Sequence, residues 1–267
     1  MQSRQLLALC VLPVIAAFGC RSVRGLKDDS HQLLSLTPRE AEQLRAEGMA
    51  LYVEQPRTLM RVTLAAQKLE QAARTLRDDY DAQWQAAQAL AFLADNETRS
   101  PFRREAAQHG IVFAQRGREL NPNRVECHYW YAINLGWLAD VDRSYGLKAV
   151  GEMETALKRA IQIDERYDYA GPLRVLGILY LRTPEPPVSI GSTHKGLRML
   201  QHAADLFPDY PENYLYLAEA LRDNERVREA KDALSKVLEA KPWPNLQFES
   251  ATWKTEAQKL LKDLPSK

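Results

Sequence analysis

The chain has 267 residues, of which 36 are Lys or Arg, 35 are Asp or Glu and 45% are hydrophobic. Such a balanced charge excludes the strongly basic surface that binds a nucleic-acid backbone, so no nucleic-acid partner is expected. The composition includes only 12 Gly and is rich in Ala, Leu, Glu, Gln and Arg, which favours helices throughout.

Residues 1–19 have the pattern of a secretory signal peptide. Arg4 gives a positive start, and the apolar run over residues 6–19 is shorter than the ~20 residues that a membrane-spanning helix needs. The run ends in Ala17-Phe18-Gly19-Cys20, which resembles the lipobox of bacterial lipoproteins, where the cysteine is acylated and becomes the first residue of the mature chain. The alternative is ordinary cleavage near Ala17, which leaves Cys20 as a free thiol.

The lipobox predicts a periplasmic protein that is attached to a membrane through the lipid on Cys20. Arg21 and not Asp follows the cysteine, which by the bacterial sorting rule favours the outer membrane. Residues 20–35 are expected to form a flexible tether. With Cys10 removed and Cys20 acylated, Cys127 has no disulfide partner, and we predict that it is a buried helix residue packing as a small hydrophobe.

Residues 36–267 contain five copies of a helical hairpin that matches the 34-residue tetratricopeptide (TPR) pattern. The first copy opens at Thr37-Pro38-Arg39-Glu40, a capping box with proline at the first helical position. Later copies have small or apolar residues at helical spacing, which lets two helices pack closely. These residues are Ala87, Ala91, Gly110, Ala114 and Gly117 in the second copy, His128, Tyr131, Ala132, Leu135, Met153, Leu157 and Ala160 in the third, Leu173, Leu176, Gly177, Tyr180 and Gly196 in the fourth, and Tyr214, Leu217, Ala218, Leu221, Ala230, Leu234 and Val237 in the fifth.

The second, third and fourth copies have extra residues between their two helices. We therefore predict long connections, at residues 137–150 in the third copy and at 182–194, stiffened by prolines, in the fourth. An amphipathic segment follows the fifth copy and closes the array, with one apolar face made of Trp253, Ala257, Leu260, Leu261 and Leu264. The predicted fold class is all-α, an α-solenoid of about five TPR-like hairpins with a C-terminal capping helix.

Two stretches, residues 125–136 (VECHYWYAINLG) and 159–221, carry features that point to a particular family of TPR proteins. Their marks are the His-Tyr-Trp opening, the pair Gly171-Pro172 that starts a helix, and a proline loop that runs to a glycine before the next helix. In these features the chain resembles TatT, the TPR lipoprotein that is the T component associated with TRAP-type (tripartite ATP-independent periplasmic) transporters. The loop departs from that family at Ser192, where an acidic residue is common. Eukaryotic regulators of microtubule dynamics are similar in the same helices, but a bacterial lipobox argues against that assignment.

The resemblance implies a lipid-anchored periplasmic scaffold that acts as an accessory component of a TRAP-type transporter. Such a protein is expected to bind a periplasmic solute-binding protein and a small organic ligand, and to touch the membrane through its N-terminal lipid. The alternative is a general TPR adaptor lipoprotein for envelope or outer-membrane assembly, which the same fold would serve.

The first helix of each TPR hairpin contributes to a concave surface, and the repeat register predicts which residues line it. Aromatic rings and arginines are mixed in this set, which suits an organic anion because guanidinium pairs with carboxylate. The alternative is that Tyr129 and Trp137 belong to the core and that the arginines are solvated. The predicted residues are Gln85, Phe92, Tyr129, Gly136, Trp137, Arg174, Ile178, Arg182, Glu212, Glu219 and Arg222, with loop contacts from Pro184, Pro186, Pro187 and His194.

Catalytic and metal-binding signatures are missing from the sequence. It contains no Gly-x-Ser-x-Gly elbow, no Walker loop, no dinucleotide fingerprint and no HExxH spacing among its five histidines, so we predict neither an enzyme nor a cofactor. Residues 129–131 (Tyr-Trp-Tyr) cannot all face one side of a helix. At least one is expected outside the core, either in a homo-oligomer contact or in packing between repeats.

Overall fold

The computed structural model describes residues 36–243 and 246–265, and within these ranges the chain is helical and contains no strand. The signal peptide, Cys20 and the 20–35 tether lie outside the described residues. None of the described helices is long and apolar enough to cross a membrane. The helices are α1 (Pro38–Val53), α2 (Leu59–Thr75), α3 (Tyr80–Asn96), α4 (Ser100–Leu120), α5 (Val125–Val141), α6 (Gly146–Asp164), α7 (Tyr167–Arg182), α8 (Thr193–Leu206), α9 (Pro211–Asp223), α10 (Val227–Glu239) and α11 (Gln247–Asp263).

Consecutive helices pair into hairpins, as the repeat pattern predicts. Helix α1 packs on α2, α3 on α4, α7 on α8 and α9 on α10. The predicted capping box at the start of α1 is confirmed: the Thr37 N–H donates to Glu40 Oε2 at 2.8 Å, and the Glu40 N–H donates to Thr37 Oγ1 at 3.3 Å. The predicted all-α fold is confirmed.

Glycines allow α4 to approach α5 closely. A Cβ atom added to Gly117 would lie 2.1 Å from Cys127 Sγ, and one added to Gly110 would lie 2.2 Å from Asn134 Oδ1. Cys127 is fully buried within α5, and burial raises the pKa of its thiol to about 12. The prediction that Cys127 packs as a small buried hydrophobe is therefore confirmed.

Helix α5 has buried side chains on every face. Its buried residues include both Tyr129 and Tyr131, while Trp130 between them is partly exposed, as the sequence required of one of the three. A helix that is apolar all round belongs in the interior. Helices α3 and α4 both pack on α5, which makes it the centre of this part of the chain.

The extra residues of the second and third hairpins lengthen helices and do not form loops. Helix α4 has 21 residues and follows α3 after residues 97–99. The predicted long connection at 137–150 is wrong, because α5 continues to Val141 and α6 begins at Gly146, with a 3₁₀ turn (Arg143–Tyr145) between them. A helix satisfies its own backbone hydrogen bonds, whereas a loop needs other partners. The connection after α7, at residues 183–192, is long, as predicted.

The chain divides into two compact units, the first ending at Ile163 and the second beginning at Asp164. In the second unit α11 packs on α9 and α10, which is the position expected of a capping helix. Its buried face differs from the prediction by one residue, since Leu261 is 37% exposed. Neighbouring helix residues point about 100° apart, so the face that contains Leu260 excludes Leu261. The buried residues of this face are Trp253, Ala257, Leu260 and Leu264.

Candidate functional site

A cleft in the second unit brings several predicted groove residues together. It lies between α7, α9 and the N-terminal half of α8, and its volume is about 230 Å³. Ile178, Arg182 and Glu219 belong to the predicted concave surface. The lining residues are Ile178, Leu181, Arg182, Thr193, Leu200, Tyr216, Glu219, Ala220, Asp223 and Asn224.

The cleft has an apolar floor because three helices meet there at close range. Ile178, Leu200 and Tyr216 are buried at its base. A Cβ atom on Gly177 would lie 3.0 Å from the Gly196 carbonyl oxygen, so the backbones of α7 and α8 are in direct contact. The two glycines that the repeat pattern identified therefore let α7 and α8 pack closely beside the cleft.

The rim of the cleft is charged and loosely paired. Arg182 Nη2 lies 3.8 Å from Glu219 Oε2, and the two side chains are 33% and 31% exposed. Asp223 adds a second carboxylate and pairs with Arg222 at 2.7 Å. An exposed pair of this kind contributes only about 0 to 1 kcal/mol, so its members can exchange partners easily. Each rim carboxylate lies beside one guanidinium group, so the rim presents charges of both signs and suits a partner that does the same better than an organic anion alone.

The proline loop that leads into α8 is closed at its base. The Gly191 N–H donates to the Pro184 carbonyl at 2.8 Å, and the Ser192 N–H donates to the Tyr180 carbonyl at 2.8 Å. The first bond joins the two ends of the loop and the second ties its C-terminal end to α7, so the residues between them form one closed segment. The exposed apex consists of Glu185, Pro186, Pro187 and Val188.

Ser192 caps the N-terminus of α8. The Ser192 hydroxyl accepts a hydrogen bond from the Lys195 N–H at 3.4 Å and is the N-cap of α8. Serine and aspartate both serve as N-caps, so the substitution keeps the function of the position. His194 was predicted as a loop contact, but the structure places it in the first turn of α8, where it is exposed.

Arg174, predicted on the concave surface, is 5% exposed and holds the second unit together internally. Its Nη1 donates to Asn213 Oδ1 at 2.7 Å and to the Tyr169 carbonyl at 3.2 Å. Its Nη2 lies 3.1 Å from Glu212 Oε2 and 3.8 Å from Asp168 Oδ2. The guanidinium is thus occupied by groups of its own chain.

The contacts of Arg174 stabilise an unusual turn at the start of α7. Residues 168–170 have φ angles of 48°, 55° and 64°, which lie in the left-handed region that non-glycine residues rarely adopt. Such residues cost about 1–3 kcal/mol each. The Tyr169 carbonyl is held by Arg174 and by Asn213 Nδ2 at 3.1 Å, and its ring stacks on Tyr210 at 4.4 Å. The regular helix then starts at the Gly171-Pro172 pair, as the sequence predicts.

The predicted groove residues of the first unit are packed more deeply than those of the cleft. Tyr129 and Trp137 are 3% and 2% exposed, and the Arg103 guanidinium lies 4.5 Å from the Trp137 ring. Gln85 and Phe92 on α3 are partly buried. Tyr129 and Trp137 thus lie in the interior and are not presented to solvent.

The buried histidine of α5 has a structural role. His128 is 5% exposed and its Nε2 lies 2.9 Å from the Pro122 carbonyl, while burial lowers its pKa. No group of three or more His, Cys, Asp or Glu side chains suited to a metal ion occurs within residues 36–243 and 246–265. The expectations of no enzyme activity and no cofactor stay predictions.

Sequence reasoning missed several cleft residues, although a signal for them was present. Leu181 follows Ile178 by three positions, and Asp223 follows Glu219 by four, so these residues share helix faces with predicted ones. Tyr216 precedes Glu219 by three. Including the residues three or four positions before and after each predicted one would have identified Leu181, Tyr216 and Asp223.

Comparison with known proteins supports the repeat fold. TTC0263, described as a thermophilic TPR protein in Thermus thermophilus, is 21% identical, with 80% of this chain and 98% of that chain covered and a TM-score of 0.59. The structure of Pseudomonas aeruginosa pilF is 15% identical, with 84% and 92% covered and a TM-score of 0.52. The family model described as Regulator of microtubule dynamics protein 1-3 matches residues 47–177. No curated protein matches the chain.

These similarities and the packed hairpins show a TPR-type helical repeat protein. Stacked repeats of this type form extended concave surfaces. The similarity to regulators of microtubule dynamics is confirmed over residues 47–177, which include α5 and α6 but not α8 or α9, while the resemblance to TatT stays a prediction.

Proposed function

We propose that the protein is a lipid-anchored periplasmic scaffold, an accessory component of a TRAP-type transporter that binds its solute-binding protein through the cleft between α7 and α9. The lipobox ending at Cys20 supports the anchor, and residues 159–221 carry the resemblance to the transporter-associated family. The observation that carries the proposal is the cleft itself, which combines an apolar floor, a loosely paired charged rim and a compact proline loop.

The size of the cleft favours a protein partner over a free organic ligand. Pockets that enclose a whole small molecule usually measure about 300–1,000 Å³. A volume of about 230 Å³ instead accommodates one or two side chains of a protein. The proline loop adds a surface that loses little conformational entropy on contact, because proline restricts the backbone before binding.

Binding of a purified TRAP-type solute-binding protein from the same genome tests this proposal. The mature chain is immobilised and the dissociation constant is measured at low salt by biolayer interferometry. Arg182→Ala and Glu219→Ala should each weaken binding by about tenfold, the usual loss of about 1–2 kcal/mol for a contact near the centre of an interface. Arg228→Ala changes an exposed arginine on α10, outside the cleft, and should leave the affinity unchanged.

Two results would redirect the proposal. Wild-type affinity in both cleft variants would place the interface elsewhere on the chain. No binding of any solute-binding protein, together with binding of an outer-membrane assembly protein, would support the general envelope adaptor.

The anchor has its own test. Mass spectrometry of the protein purified from membranes should find Cys20 acylated, and a high-salt wash should release the Cys20→Ala chain from the membrane fraction but not the parent chain. An unmodified Cys20 would contradict the lipid anchor, and partner binding through the cleft would then be the part of the proposal still to be tested.

A further inference from the structure

The first unit has one edge at which its three hairpin turns meet. Short connections at 54–58, 97–99 and 142–145 join helices that reverse direction, and α2 and α4 pack on the helices both before and after them. Helices α1, α3 and α5 therefore run one way, and α2, α4 and α6 run the other. We call the edge formed by these three connections and the adjoining helix ends the tip edge.

Exposed apolar side chains are concentrated at the tip edge. Within residues 36–163, every exposed large hydrophobic side chain belongs to this edge or to the helical turn beside it. The opposite edge, formed by the connections at 76–79 and 121–124, has none. Scattered exposed hydrophobic residues are normal on proteins, but their restriction to one edge marks an interaction surface. They are Val53 (58% exposed), Leu59 (41%), Met60 (80%), Leu64 (44%), Phe102 (51%) and Leu147 (58%).

Several carboxylates at the tip edge are paired with arginines, and some of these arginines stay accessible to solvent. Four of these acids are each paired with an arginine, in the pairs Glu54–Arg61 at 2.9 Å, Glu97–Arg99 at 2.7 Å, Asp140–Arg103 at 3.2 Å and Asp142–Arg104 at 2.8 Å. The side chains of Arg99 and Arg104 are 65% and 44% exposed, and Arg143 is exposed at the third connection. The edge thus combines apolar side chains with solvent-accessible guanidinium groups, two of which are paired with neighbouring acids.

We propose that the tip edge binds the headgroup region of an anionic phospholipid bilayer, with Met60, Phe102 and Leu147 inserted between the lipids. Apolar side chains flanked by arginine are the composition that peripheral membrane surfaces use, because the stems enter the interface while the charges meet lipid phosphates. These side chains stand on three separate connections, an arrangement that a fluid lipid surface can follow more readily than a rigid protein surface. Fluid lipid adapts to such a discontinuous row.

The length of chain before α1 allows this contact in an anchored protein, a point that rests on the proposed function. The 17 residue steps from Cys20 to Thr37 reach at most about 60 Å when extended. Helix α1 has 16 residues and is about 24 Å long, so its far end at the tip edge lies within that reach. The lipid and the edge can therefore contact the same membrane.

Vesicle binding by the mature chain carrying Cys20→Ala tests the edge without the lipid anchor. This chain should co-sediment with vesicles of phosphatidylglycerol and phosphatidylethanolamine, bind vesicles of phosphatidylcholine more weakly, and lose affinity as salt is raised. The double variant Met60→Asp and Leu147→Asp should reduce the partition coefficient at least tenfold. Leu261→Asp, at an exposed apolar position on α11, is the matched control and should bind like the parent.

A fluorophore on a single cysteine locates the contact. Cys127 is buried and is expected not to react in the folded chain, so Met60→Cys can be labelled alone. Its emission should shift to the blue with anionic vesicles, whereas a label at Asp78→Cys, 85% exposed at the opposite edge, should not respond.

Three results would overturn the inference: no vesicle binding, equal responses of the two labels, or a dimer that Met60→Asp dissociates in the absence of vesicle binding. The last would show that a second copy covers the edge. If the tip edge does not bind vesicles but Cys20 is acylated and the solute-binding protein still binds, the proposed function is unaffected. Vesicle binding with an unmodified Cys20 would contradict the anchor alone.

Discussion

Replacing Arg174 by alanine separates a structural role from a binding role for this residue. Arg174 was predicted as a groove residue, yet its guanidinium is 5% exposed and contacts four groups of its own unit. Arg174→Ala should therefore destabilise the second unit directly, and any loss of partner binding should follow from that destabilisation.

The expected magnitude follows from the partners that are left behind. Removing one member of a buried ion pair typically costs about 3–5 kcal/mol, because Glu212 would keep a charge without its nearest cation. Asn213, which is fully buried, would also lose the donor to its Oδ1 atom, and the left-handed turn would keep one of its two hydrogen bonds. With about 1.5 kcal/mol per molar urea for a unit of roughly 100 residues, the midpoint should fall by about 2–3 M.

Hydrogen exchange measured by mass spectrometry gives the local readout, alongside urea unfolding. Peptides from α7 and α9 should lose protection in Arg174→Ala, whereas peptides from α3 and α4 should be unchanged. Arg174→Lys keeps the charge but not the two-armed donor geometry, so its midpoint should fall between those of the parent and the alanine variant. Arg228→Ala serves as the exposed arginine control. A parental midpoint and parental exchange in Arg174→Ala, combined with weaker partner binding, would refute the structural assignment.

Three further predictions concern the first unit. Cys127 should resist iodoacetamide at pH 8 in the folded chain and react once guanidinium unfolds it, because its pKa is raised to about 12; reaction at the rate of a free thiol would contradict its burial. Gly117→Ala should destabilise by about 1–3 kcal/mol in urea, since the new methyl group would lie 2.1 Å from Cys127 Sγ, and an unchanged midpoint would show that α4 and α5 can separate without loss. The Arg99 side chain lowers the pKa of Glu97 to about 2 from 4.5, so this carboxylate contributes stability above pH 4.5 that is lost as pH falls toward 2. Glu97→Gln should remove that acid-dependent part, about 1 kcal/mol because Arg99 is exposed, and an identical pH profile of the urea midpoint would exclude it.

The sequence determined the helices and their pairing. A capping box is a local interaction within four residues, and the spacing of Leu217, Ala218 and Leu221 fixes one helical face wherever the helix lies. The burial of Cys127 was also predictable, because it sits among apolar residues at packing spacing. These features depend on neighbours along the chain, so no knowledge of distant contacts was needed.

Tertiary contacts decided what the remaining residues do. The extra residues of the third hairpin became the end of α5 and the start of α6, since continued helices could pack there. Arg174 and Arg182 stand eight positions apart on one helix, yet the first meets Asn213 in the interior and the second faces the cleft. Helical spacing gives the direction of a side chain but not what lies opposite, and only folding brings α9 against α7 to bury one arginine and leave the other at a rim.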